Sequence, residues 1–468
     1  MANDVVRFVD SISASPTTRL DLNDGTTFTL NAAVLAPPPQ IHSSISSNAM
    51  TDGGYQSSSQ YDYRSIHLEL MLNVATQDAA ATALQNLHRE LDRETNFLKW
   101  QPDGATAPVF FKTWRTSPVQ IVDPPAARAV YYVTLEIPAD PFALGIRKTV
   151  AALTVNNDPA AASRGNFYDL AAADSIGDVP APLLIHETSF THQALILGVR
   201  QHGTPSDLVF FKQCESMGSF SADTTNPGGA ADAAMSGSGT TNYVRTTFAS
   251  GAMAVRLEWD IDAEFNTSAE MEALRGSYRL YAAIRLTAGT GEVTIQAADD
   301  FGQTGPVATA VDSTSRQLLD LGTFTFGGPS INGDSLPIDP TGTALNFSAA
   351  RPTGSRSLEW DCVYLIPNDE TTHIHTGVVM SSPVDGFVIN SLDETIIPVV
   401  GDPFSTGSAG LTANVPQVVG GWPHIMPNQA TRLYFLMDYG SLPFSKSLSA
   451  SWALSYWPRY LYVRPATT

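Results

Sequence analysis

Length, composition and charge together predict a chain of several β-rich domains with no affinity for nucleic acid. The 468 residues exceed one typical domain, so about two to four domains are expected. Hydrophobic residues make up 43% of the chain, and charged residues only 15%, below the roughly 25% of an average soluble protein. The formal net charge of -20 argues against binding to nucleic acid or to an anionic membrane surface, since both require a basic face.

The sequence contains no segment that we expect to insert into a membrane. No apolar run approaches the length of a bilayer-spanning helix. The N-terminal residues MANDVVRFVDSISA lack the basic and apolar regions of a signal peptide, which predicts synthesis in the cytosol. Cys214 and Cys362 are too few for a disulfide framework, and we expect two buried free thiols.

The first sixty residues predict three strands followed by a polar loop. Residues 5–13 form the first strand, and TRLDLND and TTFTLNAAVLAPPP form the next two. These two meet at Asp24-Gly25, a dipeptide that favours the turn of a β-hairpin. Residues 40–60 are polar and lack apolar periodicity, so they are interpreted as a long loop. Loops of this length are usually disordered or functional.

A strand and a helix follow, and they give the strongest pattern in the chain. Between residues 63 and 74, apolar and polar side chains alternate, which predicts a strand with one apolar face. Residues 77–95 then predict a helix, with Thr76 as its N-cap and Asp78 in its first turn. The residues that form the two apolar faces are Ile66, Leu68, Leu70, Leu72 and Val74 on the strand, and Ala80, Leu84, Leu87 and Leu91 on the helix.

The remainder of the chain predicts strands and turns. Two long strands follow the helix, and the first domain is expected to end near Gly145. A second β domain begins there, and residues 205–240 are rich in Gly, Ser and Ala, as in a surface excursion. Further strands lie between residues 255 and 367, and a final pair lies between residues 431 and 463.

The order of these elements, together with several short motifs, resembles the distal tail protein family of long-tailed bacteriophages. The matching residues are Asp52-Gly53-Gly54, the strand led by Arg64 with its helix, GDVPAPLLI at 177–185, and SYWPRYLYVRP at 455–465. A further stretch, from GSYRLYAAIRLTAG at 276–289 to RSLEWDCVYLIP at 356–367, looks like a jelly-roll carbohydrate-binding module.

The resemblance implies a mainly β fold with three parts. The first is an N-terminal split β-barrel with one α-helix, over residues 1–145. The second is a galectin-like β-sandwich, formed by residues 146–202 and 371–468. The third is an inserted jelly-roll domain that resembles a carbohydrate-binding module, over residues 203–370, which departs from the minimal family pattern.

The resemblance also implies a function and a set of partners. The chain is expected to be a structural virion protein that forms a ring, most simply a hexamer, at the phage tail tip. The ring would link the tail tube to the baseplate and contact the tail tube, tape measure and tail hub proteins after assembly in the host cytoplasm. The loop 40–60 would reach the next subunit, with Ser44, Asp52, Gly53 and Tyr55 as the candidate contact residues.

An alternative function is that of an adhesin or receptor-binding tail protein that contacts host cell-wall glycans. Arg279, Tyr281 and Arg285 share one face of a predicted strand, and an aromatic ring flanked by guanidinium groups can stack on a sugar and bind its hydroxyls. An ordinary solvent face or a contact between sheets explains the same pattern.

No cofactor is expected, although a structural calcium ion is an open alternative for one acidic stretch. Its residues are Asp260, Asp262, Glu264 and Glu270, which lack the central glycine and the spacing of a calcium loop.

The sequence does not predict an enzyme. The letters GDSL at Gly333–Leu336 match a hydrolase motif, but that chemistry needs the serine on a strand-to-helix turn with a partner base. His373 and His375 have the spacing of two zinc ligands on a strand, but no third ligand accompanies them. We find no combination of nucleophile, base and oxyanion hole.

Overall fold

The fold is mainly β, as the sequence predicts, and its sheets are antiparallel. In the described residues, no helix is long and apolar enough to span a membrane. The computed structural model describes residues 4–34, 41–47, 54–122, 130–156, 167–190, 194–201, 211–225, 243–249, 251–264, 274, 276–310, 314–326, 330–331, 334–335, 344–368, 373–376, 386–399, 417–438 and 449–461.

The chain divides into two compact units, and the first consists of Met1–Thr149, Ile176–Ala181 and Tyr456–Thr468. The elements of its N-terminal segment are β1 (Val5–Val9), β2 (Thr18–Asp21), β3 (Phe28–Val34), β4 (Ile41–Ser47), β5 (Gly54–Tyr61), β6 (Arg64–Asn73), α1 (Gln77–Leu91), β7 (Thr95–Gln101), β8 (Val109–Trp114), β9 (Gln120–Val122), β10 (Val130–Ala139) and β11 (Ala143–Leu144).

The main sheet of this unit is a split barrel with two halves. One half has the order β2-β1-β7-β8, and the other has β10-β6-β3. The pairing between the halves runs through a single residue pair, Thr113 on β8 and Ala139 on β10. Towards the start of β10, the place of β8 is taken by the short strand β9.

The core of the barrel confirms the predicted faces of the strand and the helix. Every second residue of β6 from Ile66 to Leu72 is buried, and β6 pairs with β10 over its whole length. The helix begins after Thr76, whose side chain accepts a hydrogen bond from the Ala79 N–H, and ends at Leu91 rather than at residue 95. Ala80, Leu87 and Leu91 are buried in the same core, while Leu84 is half-buried against it.

The hairpin predicted at Asp24-Gly25 is wrong, although the turn is present. Gly25 has a φ of +70°, and its N–H donates to the Phe28 carbonyl. However, β2 pairs with β1 and β3 pairs with β6, at opposite ends of the sheet. A turn motif fixes only the local reversal of the chain, whereas strand pairing is decided by which apolar faces share a core.

The interpretation of residues 40–60 as a loop is also wrong. Strands β4 and β5 form an antiparallel hairpin with paired residues from Ile41 and Tyr61 to Ser47 and Gly54. Its side chains are mostly serine, so the pattern gives no apolar alternation from which a strand could be predicted. Backbone pairing between the two strands makes the structure regular.

A C-terminal strand completes the first unit. Residues Arg459–Tyr460 pair with β11, and the guanidinium Nη2 of Arg64 donates a 2.6 Å hydrogen bond to the Leu461 carbonyl. Burial lowers the pKa of Arg64 to about 10. The sequence assigned residues 371–468 to a galectin-like sandwich, but in the structure the segment from Tyr456 onward belongs to the barrel unit.

The second unit consists of Val150–Ser175 and Pro182–Ser455 and holds two pairs of sheets. Its first strands, and the insertion that follows them, are β12 (Lys148–Asn156), β13 (Phe167–Leu170), β14 (Ala181–Phe190), β15 (Ala194–Gln201), β16 (Phe211–Gln213), β17 (Ser219–Phe220), β18 (Thr224–Thr225), β19 (Val244–Thr246), β20 (Ala254–Asp260), the helix α2 (Ile261–Glu264), β21 (Gly276–Leu286), β22 (Thr294–Asp299), β23 (Ala308–Thr309), β24 (Arg316–Phe326), β25 (Ser330–Ile331), β26 (Asp334–Ser335), β27 (Ala344–Ala350) and β28 (Leu358–Pro367).

After the insertion, the chain returns to the first pair of sheets. The strands there are β29 (His373–Thr376), β30 (Gly386–Asn390), β31 (Thr395–Val399), β32 (Gln417–Gly420), β33 (His424–Ile425), β34 (Thr431–Asp438) and β35 (Ser449–Tyr456), with β36 (Arg459–Tyr460) as the C-terminal strand of the barrel unit.

Each pair of sheets is joined by aromatic contacts. The orders β12-β35-β14-β30-β31 and β13-β34-β15-β29-β32 form the outer pair, where the rings of Phe435 and Trp452 lie 4.9 Å apart. The orders β18-β19-β28-β21-β24 and β17-β20-β27-β22-β23 form the inserted pair, where Phe347 and Trp360 lie 6.2 Å apart. Among the described residues, the strands of the insertion pair with one another and with no strand outside it. The GDSL serine, Ser335, lies on the short strand pair β25–β26.

Candidate assembly surface

The hairpin β4–β5 continues from the edge of the split barrel. It leaves the barrel after β3, and it returns directly into β6, which pairs with β3. At about 3.3 Å per residue, each strand of the hairpin spans roughly 23 Å. In the described part of the chain, β4 and β5 pair with each other alone. A two-stranded hairpin is marginally stable by itself in water, so this arm is a segment that gains from a further partner.

The chemistry of the arm suits contact with another copy of an acidic chain. Neither strand contains Asp, Glu, Lys or Arg, although the chain as a whole has a net charge of -20. Contact through an uncharged segment avoids the repulsion between like charges that would oppose association of acidic copies. Ile41 and Tyr61 face each other at the base of the arm, and both are exposed.

The four residues predicted to contact a neighbour fall on the arm or next to it. Ser44 lies on β4 and Tyr55 on β5, whereas Asp52 and Gly53 lie outside the described residues. The hairpin therefore brings Ser44 and Tyr55 into one element. Their contact with another subunit stays a prediction.

A second surface of the barrel unit, which the sequence reading missed, is an exposed apolar edge around β9. We call it the β9 edge and define it as Val119, Ile121, Val122 and Tyr132. Their exposed fractions are 62%, 40%, 41% and 45%. A signal for it exists in the sequence, since VQIV at 119–122 is a short uncharged run, mostly apolar, with Pro118 before it and Asp123 and Pro124 after it. Such a run is typical of an edge strand.

The two terminal strands of the sheet, in contrast, are protected. On β3, the N–H of Phe28 donates to the Asp24 carboxylate at 2.9 Å, and the N–H of Leu30 donates to the Asn23 amide oxygen at 3.1 Å. Strand β2 carries the charged side chains of Arg19 and Asp21. Charges and side-chain caps of this kind discourage the addition of another strand.

The Asp24 carboxylate stabilises this protected region by accepting hydrogen bonds from the backbone. Partial burial acts to raise its pKa, but hydrogen bonds from the N–H groups of Thr26, Phe28 and Thr27 outweigh burial and lower the pKa.

A cleft of about 440 Å³ lies beside Asp24, between β2, the start of β3 and α1. Leu20, Phe28, Val74, Ala83 and Asn86 are among the residues that line it.

The residues predicted to bind a glycan lie together on β21, but the structure pairs the two arginines with carboxylates and buries the tyrosine. The Nε atom of Arg279 donates to Asp320 at 2.8 Å, and that of Arg285 donates to Glu359 at 2.6 Å. Tyr281 is only 6% exposed, and burial raises its pKa. Its ring therefore offers almost no surface on which a sugar could stack.

The sheet that contains β21 contacts strands from a distant part of the sequence. Strand β28, which pairs with β21, contacts β15 and β34 of the outer pair of sheets. Tyr434 and Leu436 of β34 belong to the same apolar core as Tyr281. Alternation along β21 shows which side chains share a face but cannot show what packs on it. Glycan binding by residues 203–370 stays a prediction.

The expectation of no cofactor, with a structural calcium ion as an open alternative, also stays a prediction. Among the described residues, no group of three or more His, Cys, Asp or Glu side chains is arranged to hold a metal ion. Of the acidic stretch considered for calcium, Asp260 ends β20 and Asp262 and Glu264 lie on α2, while Glu270 is outside the described residues. Cys214 and Cys362 are both buried thiols that form no disulfide, as predicted.

Comparison with known proteins gives distant likenesses. No family model matches the sequence, and no curated protein matches it. Among solved structures, the Dit (gp 19.1) protein of phage SPP1, described as a hub adsorption apparatus, is 8% identical. The alignment covers 97% of this chain and 98% of that chain, with a TM-score of 0.35.

Two further structures are similar over smaller parts of the chain. A chain of the activated phage p2 baseplate is 8% identical over 76% of this chain and 97% of its own, with a TM-score of 0.23. The tandem CBM22 domains of Xyn10C from Paenibacillus barcinonensis are 9% identical over 56% of this chain and 99% of their own, with a TM-score of 0.20. TM-scores this low do not establish a common fold.

Proposed function

We propose that this chain is a structural protein of a bacteriophage tail tip that assembles with copies of itself into a closed ring. The observation that carries the proposal is the hairpin β4–β5, an arm whose two strands contain no Asp, Glu, Lys or Arg. It continues from a split barrel and has no third strand in the described chain. The order of the sequence elements and the motifs that resemble distal tail proteins support the same role. An arm that contacts the next subunit makes a head-to-tail interface, and such interfaces close into rings when the rotation between subunits allows it.

The finer parts of the proposal follow from the resemblance. The ring is a hexamer at the distal end of the tail, and it links the tail tube to the baseplate or receptor-binding apparatus. Its partners are the tail tube, tape measure and tail hub proteins, and the protein is a component of the virion. Its role in this proposal is structural rather than enzymatic.

The test is to compare the full chain with a variant that lacks the arm. Residues 42–60 would be replaced by a short Gly-Ser turn, which keeps the β3–β6 pair intact. For the native chain, we expect a particle of six times the 50.0 kDa chain mass by light scattering, and rings in negative-stain microscopy. For the variant, we expect monomers with an unchanged melting temperature, because the arm contributes nothing to the barrel core. A native chain that stays monomeric at high concentration would contradict the proposal.

A further inference from the structure

The β9 edge is a strand edge of the described barrel sheet at which uncharged apolar side chains are exposed. Strand β9 pairs with β10 through Gln120, Ile121 and Val122. Strand β8 pairs with β10 only at Ala139, the last residue of β10. The outer edge of β9 therefore has no strand beside it among the described residues.

The composition of the β9 edge indicates a surface that another strand covers. Natural proteins protect exposed edges with charges, with side-chain caps or by shortening the strand. On β9, the strand is only three residues long, with Pro118 before it and Asp123 and Pro124 after it, but the strand itself carries no charged side chain. A short edge of this kind admits one short strand but does not support unlimited strand addition.

The side chains around β9 also favour contact with an apolar or uncharged partner. Val122 pairs with Tyr132 on β10, and both side chains are exposed. Val119 is the most exposed residue of the β9 edge, and its N–H is already used by the Thr134 carbonyl. An apolar surface that remains exposed on a folded chain commonly marks an interface with another protein.

The arm of a second copy has the complementary properties. Strands β4 and β5 carry no charged side chain, and a hairpin of two strands gains stability from a third. Pairing the arm with the β9 edge brings two uncharged segments of an acidic chain together. The edges of β2 and β3 are less suitable, because charged side chains or side-chain caps protect them.

We infer that the hairpin β4–β5 of one copy adds to the free edge of β9 in the next copy. This inference rests on the proposed ring and names the receiving surface within it. Backbone hydrogen bonds to β9 supply a third strand for the arm, and the arm covers Val122 and Tyr132. Each copy then gives an arm on one side and receives one on the other, which is the geometry of a head-to-tail ring.

The first test changes the charge of the receiving edge. In the full chain, Ile121→Lys and Val122→Lys should each reduce the ring fraction at least tenfold at a fixed concentration, without lowering the melting temperature of the monomer. The matched control is Phe301→Lys, because Phe301 is as exposed as Val119 but lies in the insertion, and it should leave the ring fraction unchanged. Rings that persist in both β9 variants would overturn the inference.

The second test maps the contact directly and does not depend on disrupting it. A photo-crosslinking amino acid at Val122, in copies mixed with isotope-labelled copies, should form bonds between copies to residues within 41–61. If native rings form but the cross-links from Val122 map elsewhere, this inference fails and the proposed ring stands. If the native chain forms no ring under any condition tested, the proposed function itself fails.

Discussion

The barrel unit and the inserted sheet differ in which side chains they expose: the barrel exposes apolar side chains at one edge, whereas the inserted sheet buries charged ones. At the β9 edge, valine, isoleucine and tyrosine side chains remain exposed. On the inserted sheet, Glu359 is only 1% exposed and lies between two guanidinium groups, with Arg245 at 3.0 Å and Arg285 at 2.6 Å. The polar face is covered within the chain, so its charges are paired there. The apolar edge has no cover within the described chain, which points to cover from another molecule.

The largest expected effect comes from removing the charge at the centre of the buried face. Glu359→Ala leaves Arg245 and Arg285 without their shared carboxylate. Because the Arg245 side chain is 42% exposed and that of Arg285 17%, the loss should lie between about 0–1 kcal/mol, as for an exposed pair, and about 3–5 kcal/mol, as for a fully buried one. The measurement is the loss of unfolding free energy in urea, followed by tryptophan fluorescence. Arg115→Ala is the control, because Arg115 and Asp92 form an exposed pair and its removal should cost about 0–1 kcal/mol. Equal losses of unfolding free energy in the two variants would contradict the difference between the buried charged face and the exposed ion pair.

A smaller loss of unfolding free energy is expected at the protected edge of the barrel, where Asp24 lies. Asp24→Ala removes the acceptor for three backbone N–H groups, and the loss should resemble that of a helix cap, about 1 kcal/mol. Asp24→Asn is the control, since it keeps an acceptor but cannot titrate.

The same position has a defined dependence on pH. The hydrogen bonds hold the pKa of Asp24 below its ordinary value of 3.8 in the folded state. A lowered pKa stabilises the fold above the ordinary value, and the contribution is lost as the pH falls through the folded value. The difference in melting temperature between the native chain and Asp24→Asn should therefore be constant near neutral pH and shrink below about pH 4. A difference that grows on acidification would contradict this.

The smallest effect is expected for Arg279, at the margin of the buried face. Arg279 and Asp320 are each about one-third exposed, so Arg279→Ala should cost about 0–1 kcal/mol. The full chain and this variant would be compared for melting temperature and for binding to host cell-wall preparations. Binding by the native chain that disappears in the variant, with the melting temperature unchanged, would support the predicted glycan site. Binding that is the same in both would remove Arg279 from it.

The sequence predicts those parts of the fold in which one side of an element is buried. Ile66, Leu68, Leu70 and Leu72 alternate because β6 has one buried face, and Ala80, Leu87 and Leu91 recur at helical spacing for the same reason. The hairpin at 41–61 gives no such pattern, because its regularity comes from backbone pairing between serine-rich strands.

Long-range contacts could not be predicted in the same way. Asp24-Gly25 identifies a turn but not the partners of the strands on either side of it. Arg279, Tyr281 and Arg285 have the pattern of an exposed face. However, Tyr281 belongs to an apolar core that also includes residues of β34, more than 140 positions later in the sequence. The β9 edge could have been predicted from PVQIV at 118–122, since a short uncharged segment of apolar residues next to a proline is typical of an edge strand.

The strand Arg459–Tyr460 has a consequence for the order of events during synthesis. Strand β11 and Arg64 are made early, but their partners Tyr460 and Leu461 leave the ribosome more than 300 residues later. The barrel therefore stays incomplete until almost the whole chain has been translated. A chain released before residue 459 lacks the strand that pairs with β11 and leaves the Arg64 guanidinium without its acceptor. Translation must therefore reach residue 461 before the partners of β11 and Arg64 are both present.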